Sequence, residues 1–204
     1  MKKLLISSLL SFFITLCFSQ NNNRIRTGFT VEPFIGFSIS TFIEENAPES
    51  SYLQTSAYGI NGNYFFTDTW SLKLGVIKDK MGGSLFGLTV TSPDGTLSII
   101  SERLEQDFIT IPLQANWHFG KNKRWNLAFG GAYSISTGEK LNISGQINSN
   151  FSSFAFDIAY KFPLPVGYLK ISSASIIRIK EQNSTIYDTQ RRGLFSLGYE
   201  YHLK

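Results

Sequence analysis

The sequence has little cysteine and little charge, and each shortage excludes a class of protein. Cys17 is the single cysteine among the 204 residues, and it lies inside the apolar N-terminal segment. A chain processed after Ser19 therefore has no thiol for a disulfide framework, a cysteine nucleophile or a cysteine metal site. Charged residues are only 17% of the chain and aromatic residues are 15%, whereas soluble domains carry about 25% charge. This composition favours a protein whose outer surface meets lipid.

A long apolar run is also missing, apart from one at the N-terminus. No segment after residue 19 approaches the ~20 apolar residues that a membrane-spanning helix requires. The first nineteen residues combine a charged start, an apolar run over 4–18 and small residues at Cys17 and Ser19. This pattern predicts a cleavable signal peptide over 1–19 and therefore an exported protein. A lipid anchor on Cys17 is the alternative, but Leu16 is large where a lipobox has a small residue.

The net charge gives little indication of an acidic partner. The formal charge is +4, and Lys2 and Lys3 leave with the signal peptide, which brings the mature chain closer to neutrality. The sequence contains no helix-turn-helix motif, no zinc-finger spacing and no phosphate-binding loop. We therefore expect no nucleic-acid partner and no cofactor.

Apolar and polar residues alternate along eight segments from Phe29 onward, which predicts eight β-strands. In the segment 125–135, for example, large apolar residues stand mostly at odd positions and small or polar residues at even positions. A period of two places alternate side chains on opposite faces of a strand. Pro33 predicts an irregular site in the first strand, because proline has no N–H to donate. Parity assigns to the lipid side Leu127, Phe129, Tyr133, Phe156, Ile158, Tyr160, Leu197 and Tyr199, and to the interior Asn126, Asp157, Lys161 and Glu200.

The connections between these segments alternate in length. Short turns are expected around 67–69, 120–124 and 163–167, and longer connections around 44–51, 81–107, 138–150 and 181–190. Transmembrane barrels show this asymmetry, with short turns on the periplasmic side and long loops outside. Trp70, Trp117 and Trp125 lie beside the short turns, which predicts an aromatic girdle at the inner membrane interface.

Strand parity, connection length and tryptophan placement agree on one fold. We predict an all-β protein: an eight-stranded antiparallel up-and-down transmembrane β-barrel, preceded by a cleavable signal peptide. The signal peptide covers 1–19, a periplasmic lead-in covers 20–28, and the barrel domain covers 29–204. The predicted location is the cell outer membrane, and both ends of the barrel chain are expected on its periplasmic side.

Several short motifs resemble one known family. They are the run 107–113 with its Ile-Pro-Leu, the segment 117–119, the Gly-Gly strand 125–131 and the hairpin 65–72. This pattern resembles the outer-membrane β-barrel domain common in Bacteroidota, among OmpA- and OmpX-like eight-stranded barrels and PorT-like proteins. The resemblance covers most of the mature chain and implies fold and location, and that family has no shared catalytic residues. Because some Bacteroidota barrels of this size are similar to secretion components, it also admits an accessory role in secretion.

The polar face of the strands supplies the candidate functional residues. An eight-stranded barrel has an interior just wide enough for side chains, so the ionisable residues of this face are expected to fill it as ion pairs. A buried charge without a partner would cost several kcal/mol. A narrow polar pore or a gated plug is the alternative. The predicted lumen network consists of Glu32, Lys73, Asp157, Lys161, Lys170, Arg178 and Glu200.

The two histidines, His118 and His202, also fall on the inward face, where a closed barrel can bring them together. Neither belongs to a Ser/His/Asp pattern or a metal-ligand spacing that we can assemble. We therefore predict no catalytic residue, no metal site and no enzymatic activity. Arg191 and Arg192 end an outer loop, and because arginine matches phosphate geometry, they are candidates for contact with lipopolysaccharide.

The sequence favours one of several functions. The favoured one is a non-enzymatic integral outer-membrane barrel with a side-chain-filled polar lumen and a structural or binding role through its outer loops. The alternatives are an accessory barrel of a secretion system, an outer-membrane enzyme, and a soluble lipocalin-like barrel that carries an apolar ligand. The expected partners are outer-membrane lipid or lipopolysaccharide and the barrel-insertion machinery. An extracellular or secretion-system partner is not identifiable from the sequence.

Overall fold

The described residues form a closed barrel of eight β-strands. The computed structural model describes residues 28–43, 51–91, 97–137, 150–179 and 189–203. The strands are β1 (Gly28–Ile43), β2 (Ser51–Phe65), β3 (Trp70–Thr91), β4 (Leu97–Phe119), β5 (Trp125–Ser136), β6 (Phe151–Pro163), β7 (Tyr168–Arg178) and β8 (Thr189–Leu203). Each pairs antiparallel with the next, and β8 pairs with β1 to close the barrel. The predicted all-β, up-and-down fold is confirmed, whereas the predicted signal peptide over 1–19 lies outside the described residues.

Burial along β6 shows how the alternating sequence builds the wall. Phe154 and Phe156 point outward and are 48% and 39% exposed, whereas Ala155 and Asp157 are 2% and 3% exposed. Large apolar residues thus stand on the outside, and the narrow interior takes small or polar side chains. The four residues that parity assigned to the interior are buried, and the eight assigned to the lipid side are exposed or half-exposed. No helix in the described ranges is long and apolar enough to cross a membrane.

The short turns all lie at one end of the barrel. We call this the short-turn end and the opposite end the long-loop end; the turns are 66–69, 120–124 and 164–167. Gly120 and Gly167 have positive φ values of 76° and 94°, which other residues rarely adopt. A Cβ on Gly167 would also collide with the backbone carbonyl oxygen of Glu200. Two of the three turns therefore depend on glycine.

The prediction of a long connection over 81–107 is wrong, because most of this segment is strand. β3 and β4 remain paired as far as Thr91 and Leu97. Among the described residues, β4 is paired with β5 only as far as Phe108. The two strands therefore continue together beyond the rest of the wall. β2 is paired with β3 as far as Ser84, so we call the extension beyond it the β3–β4 ribbon (85–91 and 97–102).

Two prolines interrupt the ladders without shifting their register. Pro33 of β1 pairs with Ile60 of β2, and in the described strands no β8 residue is paired with it. Pro112 of β4 pairs in the same way with Ala132 of β5 but with no described residue of β3. Because proline has no N–H, it supports the ladder on one side only. The irregular site predicted at Pro33 is therefore present.

Candidate functional site: the barrel lumen

The outer wall carries a band of large apolar side chains that begins at an arc of aromatic rings. Trp70, Trp117 and Trp125 lie beside the short turns on β3, β4 and β5. The rings of Trp70 and Trp117 are 6.3 Å apart, and Phe119 lies 4.6 Å from Trp117 and 6.4 Å from Trp125. On β3 the outward apolar positions begin at Trp70 and end at the exposed Lys78. With a rise of ~3.3 Å per residue and a strand tilt near 40°, Lys78 lies about 20 Å above Trp70 along the barrel axis. This height is close to the ~25 Å apolar band of membrane barrels.

Three buried ion pairs cross the lumen in the half nearest the short-turn end. They join β3 to β6, β7 to β1 and β6 to β8, so none of them connects two strands that are neighbours in the wall. All six side chains are at most 7% exposed. Six of the seven residues of the predicted lumen network thus meet here. The pairs are Lys73 Nζ–Asp157 Oδ2 at 2.5 Å, Lys170 Nζ–Glu32 Oε2 at 2.8 Å, and Lys161–Glu200.

These ion pairs act on one another and form a single electrostatic network. The Asp157 carboxylate is attracted by Lys170 and Lys161 as well as by Lys73. The Lys170 ammonium is likewise attracted by Asp157 and Glu200 in addition to Glu32. Asp157 and Lys170 therefore each have several partners of opposite sign, which reduces the cost of burying them.

A chain of side-chain amides occupies the other side of the same half. Asn63 Nδ2 donates to Thr30 Oγ1 at 3.2 Å, Asn116 Nδ2 donates to Asn63 Oδ1 at 3.5 Å, and Asn126 Nδ2 donates to Asn116 Oδ1 at 3.4 Å. The chain runs from β1 through β2 and β4 to β5. We call the three ion pairs and this amide chain together the polar chamber. Parity places these asparagines on the inward face, but it does not show that they contact one another.

The two histidines both lie near one aromatic ring, that of Phe65, at the short-turn end. The His118 ring stacks on Phe65 at 4.7 Å, and the His202 ring is 6.1 Å from Phe65. His118 Nε2 is 2.8 Å from Ser71 Oγ, and both residues are fully buried. His202 Nε2 is 3.9 Å from Glu200 Oε1. In the part of the chain that the structure describes, no group of three or more potential metal ligands occurs.

A belt of apolar side chains crosses the lumen beyond the polar chamber. Seven strands contribute one residue each, and at this level β4 contributes Pro112, which is paired with Ala132. The Phe34 ring fills space that Gly59 leaves open, since a Cβ there would be 2.7 Å from Phe34 Cζ. We call this group the apolar belt: Phe34, Ala57, Ile77, Ala132, Ala155, Ile176 and Leu194.

The apolar belt corrects the prediction of a lumen that is polar throughout. Phe34, Ile77, Ile176 and Leu194 are large and apolar, yet they occupy inward positions and are only 4–7% exposed. Sequence reasoning missed them because it treated the inward face as uniformly polar. The signal is nevertheless present, because each is a large apolar residue at a position whose parity is inward.

Beyond the belt, towards the long-loop end, a fourth ion pair lies in the lumen. Arg192 Nη1 is 2.7 Å from both carboxylate oxygens of Asp79, and Arg192 Nη2 donates to Thr110 Oγ1 at 3.2 Å. The side chains of Arg192 and Asp79 are 1% and 0% exposed. The suggested phosphate contact of Arg192 is therefore wrong, because its inward parity buries it, whereas Arg191 is exposed. Sequence reasoning also missed Asp79.

The last predicted lumen residue, Arg178, lies closest to the long-loop end. Its guanidinium carbon is 4.8 Å from the centre of the Phe151 ring. Phe151 packs edge-on against Phe108 at 5.5 Å, and both are buried with Met81. Arg178 thus stands apart from the ion pairs of the polar chamber, with which parity had grouped it.

Comparisons with known proteins support the architecture seen here. The crystal structure of the outer membrane protein OprG from Pseudomonas aeruginosa superposes with a TM-score of 0.55 at 12% identity, covering 87% of this chain and 97% of that one. The crystal structure of Neisserial surface protein A superposes with a TM-score of 0.52 at 14% identity, covering 87% and 98%. At these identities the likeness concerns the fold. No curated protein sequence matches the chain.

A sequence match assigns the family. The "Outer membrane protein beta-barrel domain" family matches residues 18–192, which is most of the chain. In barrels of this type the short turns face the periplasm and the longer loops face outward. The chain therefore belongs to the outer membrane protein beta-barrel domain family, and its location is the outer membrane.

Proposed function

We propose that this protein is a non-enzymatic, non-conducting barrel that presents its long-loop end to the outside in a structural or binding role. The observation that carries the proposal is a lumen filled at three successive levels. These levels are the polar chamber, the apolar belt and the Asp79–Arg192 pair. Conduction requires a continuous path with sites that an ion can enter and leave, and ion-paired or packed apolar side chains occupy that path.

The burial of the one nucleophile-like pair in the described strands supports the non-enzymatic part of the proposal. Among the described residues, Ser71 and His118 are the pair that most resembles a nucleophile and its base, at 2.8 Å. Both residues are 0% exposed, and the His118 ring is covered by Phe65. A substrate could reach Ser71 Oγ only by displacing packed lumen residues. A structural hydrogen bond therefore explains this pair.

Single-channel recording tests the closed lumen. Protein refolded in detergent and added to a planar lipid bilayer should give no resolvable conductance steps, whereas an open porin from the same membrane serves as positive control. Heat-modifiable gel mobility should show that the recorded sample is a folded barrel. Regular steps from the folded wild-type protein would overturn the proposal.

The lipocalin-like alternative has no support in the wall. A soluble barrel places its apolar face inside, whereas here residues such as Ile35 and Leu74 are 66% and 54% exposed on the outside. The assignment to Bacteroidota or PorT-like barrels and an accessory role in secretion remain predictions. Deleting the gene and measuring export of secreted cargo tests that role, and normal export would remove it.

The proposed partners follow from location and surface charge. Barrel-insertion machinery and outer-membrane lipid are expected of any chain that must enter this membrane. At the outer edge of the apolar band, the exposed Lys78 and Arg191 are suited to contact lipid or lipopolysaccharide phosphates. Neutralising each by glutamine should reduce co-purifying lipopolysaccharide, and an unchanged amount would contradict this contact.

A further inference from the structure

The polar chamber and the apolar belt meet at a small cavity. Its volume is ≈ 20 Å³, and a water molecule needs about 10–15 Å³ of such space. Its polar lining includes Asn61, Lys73, Gln114 and Asp157, and its apolar lining includes Phe34, Ile77, Ile176 and Leu194. The cavity therefore has room for one water molecule and a polar side that can hold it.

Two buried oxygen atoms among the lining residues lack a donor. Asn61 Oδ1 and Asp157 Oδ1 accept no hydrogen bond from any described group, although the residues are only 4% and 3% exposed. A molecule that satisfies both must donate two hydrogen bonds, and water does so. A cation is disfavoured, because the Lys73 ammonium already lies on the other oxygen of Asp157 at 2.5 Å.

The belt on the other side of the cavity offers nothing to a water molecule or an ion. All seven of its side chains are hydrocarbon, and apolar cavities of comparable make-up stay dry. Hydrophobic constrictions close channels by excluding water even where some space remains. The polar chamber, in contrast, is built from groups that hydrogen-bond well to water.

We infer that the apolar belt is the permeability barrier of this barrel, and that the polar chamber beneath it is hydrated, with a water bound between Asn61 and Asp157. The inference rests on the proposed non-conducting function and adds the level at which the lumen is closed. Breaking ion pairs or amide contacts in the chamber should leave the barrel closed. Widening or polarising the belt should open it.

Matched double variants in the planar bilayer test the position of the barrier. The variant Phe34→Ala with Leu194→Ala widens the belt, and the variant Asn63→Ala with Asn126→Ala widens the chamber. Each variant truncates two side chains. Heat-modifiable mobility verifies that each variant is folded. We expect resolvable conductance steps from the belt variant only. A silent belt variant, or steps from the chamber variant alone, would overturn the inference, whereas steps from wild type would overturn the proposed function itself.

A second belt variant distinguishes the effect of a more polar belt from the effect of a wider one. It also keeps the test possible if the first variant does not fold. Ile176→Asn with Leu194→Asn makes the belt polar with little change in side-chain size. Because the barrier is hydrophobic, this variant should also conduct. Silence from the folded variant would contradict a barrier that works by excluding water.

Nuclear magnetic resonance of the wild-type protein tests the hydration directly. With the alanine methyl groups and the side-chain amides labelled in detergent micelles, cross-relaxation with water should appear at the Asn61 side-chain amide. It should be absent at the methyl groups of Ala57 and Ala132, the two belt residues that do not line the cavity. Water signals at these methyl groups, or none at Asn61, would overturn the division of the lumen.

Discussion

The polar chamber and the apolar belt fill the same narrow cross-section with opposite chemistry. In the chamber each side chain depends on particular partners, as when Asn116 both donates to Asn63 and accepts from Asn126. In the belt any side chain of suitable size and apolarity contributes, because dispersion and burial have no direction. The comparison teaches that one barrel can separate two tasks. Directional contacts fix which strands face one another, and the belt closes the lumen.

The largest effect is expected where a charge has a single partner. Asp79→Ala should destabilise the barrel by about 3–5 kcal/mol, because it leaves Arg192 buried without its counter-ion. Glu32→Ala should cost less, since its partner Lys170 is also attracted by Asp157 and Glu200. Urea unfolding in detergent micelles measures both. The double variant Asp79→Leu with Arg192→Met is the control and should be close to wild type. Equal losses for Asp79→Ala and Glu32→Ala would contradict the network in the chamber.

A somewhat smaller effect is expected on the lipid side of the wall. Phe129→Arg or Ile158→Arg places a charge in the apolar band and should cost roughly 2–4 kcal/mol and impair insertion. Folding yield in lipid vesicles and urea unfolding provide the measurement. Asn126→Arg is the neighbouring control, and its effect should arise from lumen crowding rather than from lipid.

Cysteine labelling checks the same inside–outside assignment without a charge. A processed chain has no cysteine of its own, so single cysteines can be placed at Phe129, Ile158, Asn126 and Asp157. A lipid-phase probe should label the first two and spare the last two. The reverse pattern would refute both the parity assignment and the membrane barrel.

A moderate effect is expected from the amide chain. Asn116→Leu leaves Asn63 Oδ1 without a donor and Asn126 Nδ2 without an acceptor, and an unsatisfied buried polar group costs about 1–3 kcal/mol. Urea unfolding should show this loss. Gln54→Leu on the exposed face of β2 is the control and should change stability by less than about 0.5 kcal/mol. An unchanged stability for Asn116→Leu would contradict this prediction and would mean that water molecules make the hydrogen bonds of the missing amide.

The smallest effect is expected for Ser71→Ala. It removes one hydrogen bond to His118 and should cost about 0.5–1.5 kcal/mol. A fluorophosphonate probe for reactive serines should leave the wild-type protein unlabelled. Labelling that disappears with Ser71→Ala would point to a reactive nucleophile and contradict the non-enzymatic proposal.

Strand number and inward or outward direction follow from the sequence, because both depend on a period of two. Phe129 and Asp157 could be assigned to opposite faces from parity alone. Ion-pair partners could not be assigned in this way. That Lys73 meets Asp157 across the lumen depends on strand tilt and on the stagger between strands, and neither can be read from the alternation within a single strand.

The errors of sequence reasoning have physical causes as well. Arg192 looks like a loop residue beside Arg191, yet β8 begins at Thr189 and its parity turns Arg192 inward. The segment 81–107 contains glycines and charges typical of loops, yet cross-strand pairing extends β3 and β4 through most of it. The belt was missed because inward residues were expected to be polar. Apolar side chains also fill a closed lumen when they pack against one another, as they do in the belt.

The β3–β4 ribbon gives this small barrel an unusual reach. β3 continues from Lys78, at the edge of the apolar band, to Thr91, and at ~3.3 Å per residue this is about 40 Å of strand. Its outer end, where Thr91 pairs with Leu97, is therefore remote from every residue that holds the lumen together. A foreign peptide inserted after Thr91 would be displayed far from the membrane surface without disturbing the wall. The protein thus offers a compact scaffold for surface display, with the anchor and the presented segment separated by the ribbon.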